Sequence, residues 1–185
     1  MAKRILGFLA VIGTICVLAA WAQNLRSPQR LAVYDADGKK VSVVAGGTTD
    51  VGAYMPVVAF KIGGVPVMLG VARDAFKGFA QVAWESSDCT GTPFLIMNGI
   101  GYNYARSSLP SFGVSLPGNT VYVEDGPARN MIVGSESKYP GYGVGSPPWP
   151  PYQCTQPPFP WSAVSFPARP LIDMSAEFKP RFTVR

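Results

Sequence analysis

The chain has 185 residues, no histidine, and 16 basic against 11 acidic residues, for a net charge of +5. The missing histidine removes Ser-His-Asp and Cys-His catalysis, His-ligated zinc and His-based proton shuttling together. The charge is scattered, with no basic run longer than Lys39-Lys40, so it leaves no nucleic-acid footprint and reads as a solvated surface.

Residues 1–22 read as an export signal. Lys3 and Arg4 form a basic start, and Ile5 to Ala19 an uncharged apolar stretch. Ala20-Trp21-Ala22 is then the small-x-small pattern of a signal-peptidase site before Gln23. The alternative is an uncleaved anchor, which needs about 20 apolar residues. The stretch only just reaches that length, and Gly7, Gly13 and Thr14 weaken it. Gly13-Thr14-Ile15 before Cys16 do not make a lipobox. The expected mature chain starts at Gln23, has 163 residues, and loses Lys3 and Arg4, so its charge falls from +5 to +3. That length suits one domain. The expected location is the periplasm or the cell exterior, with membrane contact only through an uncleaved signal.

Residues 23–30 read as a flexible lead-in, and 31–185 as a single β domain. Leu31 to Tyr34 and Val41 to Val44 flank a polar turn, which predicts a hairpin. Gly46 to Asp50 is expected to break it. Val57 to Ile62 and Val65 to Val71 flank Gly63-Gly64, a strong tight-hairpin signal because both positions can take positive φ. Pro66 should sit at a strand start or an edge. Gln81 to Glu85 and Pro93 to Met97 flank a turn that holds Cys89. Residues 98–118, rich in Gly, Ser, Asn and Tyr, read as a surface loop. Thr120 to Glu124 is an alternating strand, turned by Asp125 to Ala128 and returned by Asn130 to Val133. Residues 140–170 are rich in proline and read as extended rather than helical. Residues 169–185 add one or two short strands. No sustained 3.6-residue periodicity follows the signal. The fold class is therefore all-β: an antiparallel sandwich or barrel built of hairpins, with the proline-rich segment wrapped on it.

With the signal removed, Cys89 and Cys154 remain. Two thiols in an exported chain read as one disulfide. Without a CxxC motif or a histidine, a redox or metal pair is the weaker reading. No cofactor or metal is expected.

Five patterns invite a functional reading. Asp35-x-Asp37-Gly38 matches the start of a calcium loop, but Lys39 and Lys40 follow, and a plain hairpin turn is expected. Ser135-x-x-Lys138 matches the serine–lysine spacing of penicillin-binding enzymes, but lies in a strand-like region and reads as chance. Glu85 with Asp88, or Glu124 with Asp125, would be the paired acids of a glycosidase; both pairs adjoin turns and read as solvated. Trp149, Tyr152 and Trp161 are the candidate binding residues, an aromatic platform for a glycan or for an envelope or extracellular protein. Pro147 to Pro151 also fits a polyproline ligand. The favoured opposing reading is that this tract wraps the domain and buries its rings, pinned by Cys154.

Four stretches carry a resemblance: Val33 to Gly38, Val71 to Phe76, Trp84 to Phe94, and Pro170 to Met174 with Phe178 and Phe182. In these the chain resembles a group of uncharacterised bacterial exported β-domain proteins, which also occur at the ends of collagen-like or tail-fibre-like chains. The resemblance implies a β domain and a Cys89–Cys154 bridge, and no activity. The chain has no Gly-x-y repeat, so a stalk-bound trimer is not implied. The expected function is that of an exported, non-catalytic β domain with a binding or structural role in the cell envelope or outside the cell. The alternative is a carboxylate-based hydrolase such as a glycosidase.

Overall fold

A computed structural model describes residues 30–50, 53–96, 110–138 and 152–185. The expected signal segment lies outside them. Leu31–Arg185 forms one unit, and its described residues are mostly antiparallel strands joined by turns, as the hairpin pattern predicts. No helix among the described residues is long and apolar enough to cross a membrane.

The first sheet follows the sequence closely at its start. β1 (Ala32–Tyr34) pairs with β2 (Lys40–Asp50), with Val33 opposite Ser42. The Asp35 carboxylate makes the turn between them by accepting the N–H groups of Asp37 at 3.1 Å and Lys39 at 2.8 Å. Its other oxygen accepts Lys179 N–H at 3.2 Å, which ties the turn to the chain's far end. The expected break at Gly46 is a bulge instead. The register shifts between Val44 and Gly46, and β2 runs on to pair Asp50 with Ala53 of β3 (Ala53–Ile62). β3 turns into β4 (Val65–Val71) through Gly63 and Gly64 at φ of 55° and 86°, the positive pair a two-residue turn demands. Pro66 is the second residue of β4 and exposed, as its missing N–H requires. β5 (Phe76–Lys77) closes this side by pairing with Gly70 and Val71.

The second sheet departs further from expectation. β6 (Gln81–Trp84) and β7 (Phe94–Ile96) form the predicted hairpin. Residues 110–118, expected in a loop, contain β8 (Phe112–Ser115), which is buried throughout. Gly113 is there for close approach: a Cβ would lie 2.5 Å from Val82 Cγ2 and 2.7 Å from Leu95 Cδ2. β9 (Thr120–Glu124) pairs with β8 as a hairpin. Its expected return does not occur. β10 (Arg129–Val133) does not pair with β9; both lie along one later strand, and Asp125 to Ala128 connects them as a step. The chain continues through β11 (Ser135–Lys138) to β12 (Gln153–Thr155). The later strand is β13 (Trp161–Asp173), which pairs successively with β10, β7 and β9. It carries Pro167 and Pro170, and the ladder shifts register between Pro170 and Ile172, where a missing donor does least harm. The described part of the proline-rich tract is therefore extended, as expected, but forms the spine of the sheet.

Both faces of β6 and β7 are covered. On one face, pairing runs from β6 through β7, β13 and β9 to β8, and Ala80 N–H bonds back to Phe112 O at 2.9 Å. This curl encloses Val82, Trp84, Leu95, Tyr122 and Ala168. On the other, β11 pairs with β6 while β10 pairs with β13, enclosing Ala83, Ile96, Val133 and Ala163. That is why β6 and β7 lack the polar–apolar alternation of a half-exposed strand. The main core lies between the two sheets, with Val33, Val58, Leu69 and Phe76 from the first facing Phe112, Val121 and Val123 from the second. Each such large side chain contributes roughly 1.5–3 kcal/mol by leaving water.

A short helix, α1 (Met174–Glu177), then returns the chain to the first sheet, where β14 (Thr183–Val184) pairs with β1. Asp173 caps α1. Its Oδ1 accepts Ser175 N–H at 2.9 Å and the Ser175 hydroxyl at 2.6 Å, and also Asn119 N–H at 3.0 Å. Burial pushes this carboxyl up, but the Ser175 and Asn119 hydrogen bonds outweigh it and hold it below its usual value. A folded value below the unfolded one means the contribution is present above about pH 4 and lost as the pH falls through the folded value. Asp173→Ala should cost about 2–3 kcal/mol at pH 7, from the lost cap and the unpaired amide of buried Asn119. In urea melts the gap from wild type should narrow at pH 3; a pH-independent gap would remove the carboxylate's charge from the explanation.

Candidate functional site

The Cys89–Cys154 disulfide is formed, with Cα atoms 5.9 Å apart across 65 residues of chain. It joins the turn between β6 and β7 to β12. The turn is built for this by its own polar residues. The Ser86 hydroxyl bonds to Thr90 O at 2.8 Å, and the Thr90 hydroxyl donates to Asp88 at 2.7 Å. These hydroxyls, Thr90 first, hold the exposed Asp88 carboxyl below its usual value. Cys89 itself has φ of 57°, and its N–H donates to Ser135 Oγ at 2.9 Å.

Tyr152 is buried at 6% exposure, and its hydroxyl donates to Phe76 O at 2.8 Å. It is an anchor into the main core, so it cannot serve in a surface platform. Trp161 is 40% exposed at the start of β13. Trp149, and Pro147 to Pro151 with it, lie outside the described residues. Ser135 and Lys138 are three apart on β11, so alternation sends them to opposite faces. Ser135 Oγ is occupied by Cys89 N–H, and Lys138 Nζ pairs with Glu136 at 2.6 Å. Asp35 is consumed by backbone amides, and Asp37 pairs with Lys179 at 2.7 Å. Glu85 and Asp88 are exposed, and Asp125 faces Arg169 at 3.6 Å.

Two features went unread in the sequence. The first is Glu136, whose side chain is only 8% exposed and is held by Lys138 and by Gln81 Nε2. It follows from the β6–β11 pairing, which no local pattern announces. The second is a pair of open grooves. One, of about 440 Å³, runs beside the disulfide between Trp84, Thr90 and Pro93 on one side and Leu116, Tyr122 and Pro170 on the other. The Tyr122 hydroxyl donates to Leu116 O at 2.6 Å. The other groove, of about 290 Å³, opens between β14 and the ends of β3 and β4, with Arg73 its one charged residue. Neither groove is lined by a carboxylate. Both can hold apolar or aromatic groups; neither presents the two acids that glycoside hydrolysis needs.

No protein-family model matches the chain, and comparisons with curated proteins and with solved structures also return no match.

Proposed function

We propose that this is an exported, disulfide-stapled β domain that binds a partner in the cell envelope or outside the cell and does no covalent chemistry. The observation that carries the reading is a pair of open, apolar-lined grooves among the described residues, neither lined by a carboxylate. Of the acids considered for catalysis, Glu85, Asp88 and Asp125 are exposed outside the strands, and Glu124 is the half-buried last residue of β9. The Cys89–Cys154 bridge supports an oxidising compartment, where such bonds persist. The partner is a protein or a glycan of that compartment.

One observation favours the rival hydrolase reading, which is the burial of Glu136. Both of its oxygens are engaged, one by Lys138 and one by Gln81, and it lines neither groove. A panel of chromogenic glycosides separates the two readings. The oxidised protein should give no turnover above buffer across pH 4–8. Turnover that Glu136→Gln abolishes would replace the binding reading with the hydrolytic one.

A further inference from the structure

The smaller groove has a wall, a floor and an end. Its wall is β14. Ala32 and Arg185 exchange both backbone hydrogen bonds, at 2.8 and 3.0 Å, and Val33 stands opposite Val184. Antiparallel alternation then turns the Val184 N–H and C=O away from β1, toward the sheet's open edge. Val184 is 44% exposed there. The floor is apolar, made by Val33, Met55, Pro56, Val71 and Phe182. The end is a single bond, Phe182 N–H to Arg73 O at 2.7 Å, which joins β14 to the segment after β4. Beside that closed end stands Arg73, which is exposed and lines the groove.

We propose that this groove takes the C-terminus of an extended peptide. The peptide adds to β14 through the Val184 backbone, places one or two apolar side chains on the floor, and sets its terminal carboxylate against Arg73. A strand edge supplies main-chain affinity, and a flanking pocket supplies side-chain choice. The volume of about 290 Å³ suits one or two side chains and lies at the bottom of the range for drug-sized ligands. The charge calls for an anion, because an arginine fork pairs carboxylates in bidentate fashion. The closed end selects a chain terminus over an acidic side chain in mid-peptide, since a strand laid along Val184 has nowhere to continue past the Phe182–Arg73 bond. The assignment rests on the binding reading above and names the chemistry of its partner.

Fluorescence polarisation with a labelled pentapeptide ending in two valines tests this on the oxidised mature chain. The free acid should bind with Kd of about 10⁻⁵–10⁻³ M, and the same peptide as its C-terminal amide at least about tenfold more weakly. Arg73→Ala should lose the acid–amide difference, and Arg73→Lys should recover part of it. Val184→Pro, which removes the edge N–H, should weaken both peptides alike, with its thermal melt showing that it is folded. Equal binding of acid and amide would overturn the terminal-carboxylate assignment, and so would an unaffected Arg73→Ala. No binding at 5 mM by the folded protein would overturn the groove as a peptide site. Neither result touches the glycoside test, so failure here and failure of the broader reading remain distinct.

Discussion

Replacing Cys89 and Cys154 together by serine should lower the unfolding free energy by about 4 kcal/mol. The bridge spans 65 residues, and closing a loop of that size removes roughly this much chain entropy from the unfolded state. For a domain of this size that corresponds to a melting point lower by roughly 8–16 °C. The local effect has a second part. Among the described residues β12 is held to the sheet by three register pairs with β11, from Glu136–Thr155 to Lys138–Gln153, and by the Thr155 hydroxyl donating to Glu136 O at 3.2 Å. Gln156 adds one bond to Ser87 O at 2.8 Å. Without the bridge this edge should open first, so amide exchange there should rise before the rest of the domain loosens. Wild type in excess reductant should match the double serine variant in denaturant melts. A loss under about 1 kcal/mol would show that the bridge constrains little that the folded sheet does not already hold.

Phe76→Ala should cost about 3–5 kcal/mol, the usual range for deleting a buried aromatic ring. Phe76 is 1% exposed, although β5 has only two residues. Its ring lies 4.8 Å from that of Phe182, 6.0 Å from Phe178 and 6.2 Å from Phe60. It thereby joins β5, β3 and the chain's last turn into one cluster. Truncation leaves a cavity that β3 and the chain's last turn would have to move to fill. The Tyr152 hydroxyl bonds to the Phe76 carbonyl and not to its ring, so Tyr152→Phe is a separate loss of about 1 kcal/mol. Urea melts of both variants check the ranking. If Tyr152→Phe cost more than Phe76→Ala, the ring cluster would not be the centre of this core.

How much was legible follows from how local each cause is. The turn at Gly63-Gly64 could be read because two glycines at positive φ are a local requirement. The Asp35 turn could be read for the same reason. The bulge at Gly46 and the step at Asp125 to Ala128 could not, because turn residues mark a change of direction without saying whether the chain reverses, kinks or steps. β8 was hidden because Gly113 reads as loop until Val82 and Leu95 are seen against it. β13 was hidden because its prolines suggest an unpaired extended chain, whereas Ala163, Ser165 and Ala168 along it are buried.

The candidate site divides the same way. The cysteine pair followed from counting once Cys16 is assigned to the signal. Tyr152 was ambiguous because a tyrosine is both a core ring and a surface contact, and only the position of Phe76 O decides between them. The Arg73 groove was invisible, since its parts come from residues 33, 55, 56, 71–73 and 182–184. Those positions meet only when β14 returns to β1.

The central claim is that this chain is exported and stapled in an oxidising compartment. The most direct measurement is the intact mass of the protein taken from its native cells under alkylating, non-reducing conditions. The account predicts one unalkylated species that begins at Gln23 and is two hydrogens lighter than the dithiol. A chain that retains Met1, or one in which Cys89 and Cys154 are both alkylated, would contradict it.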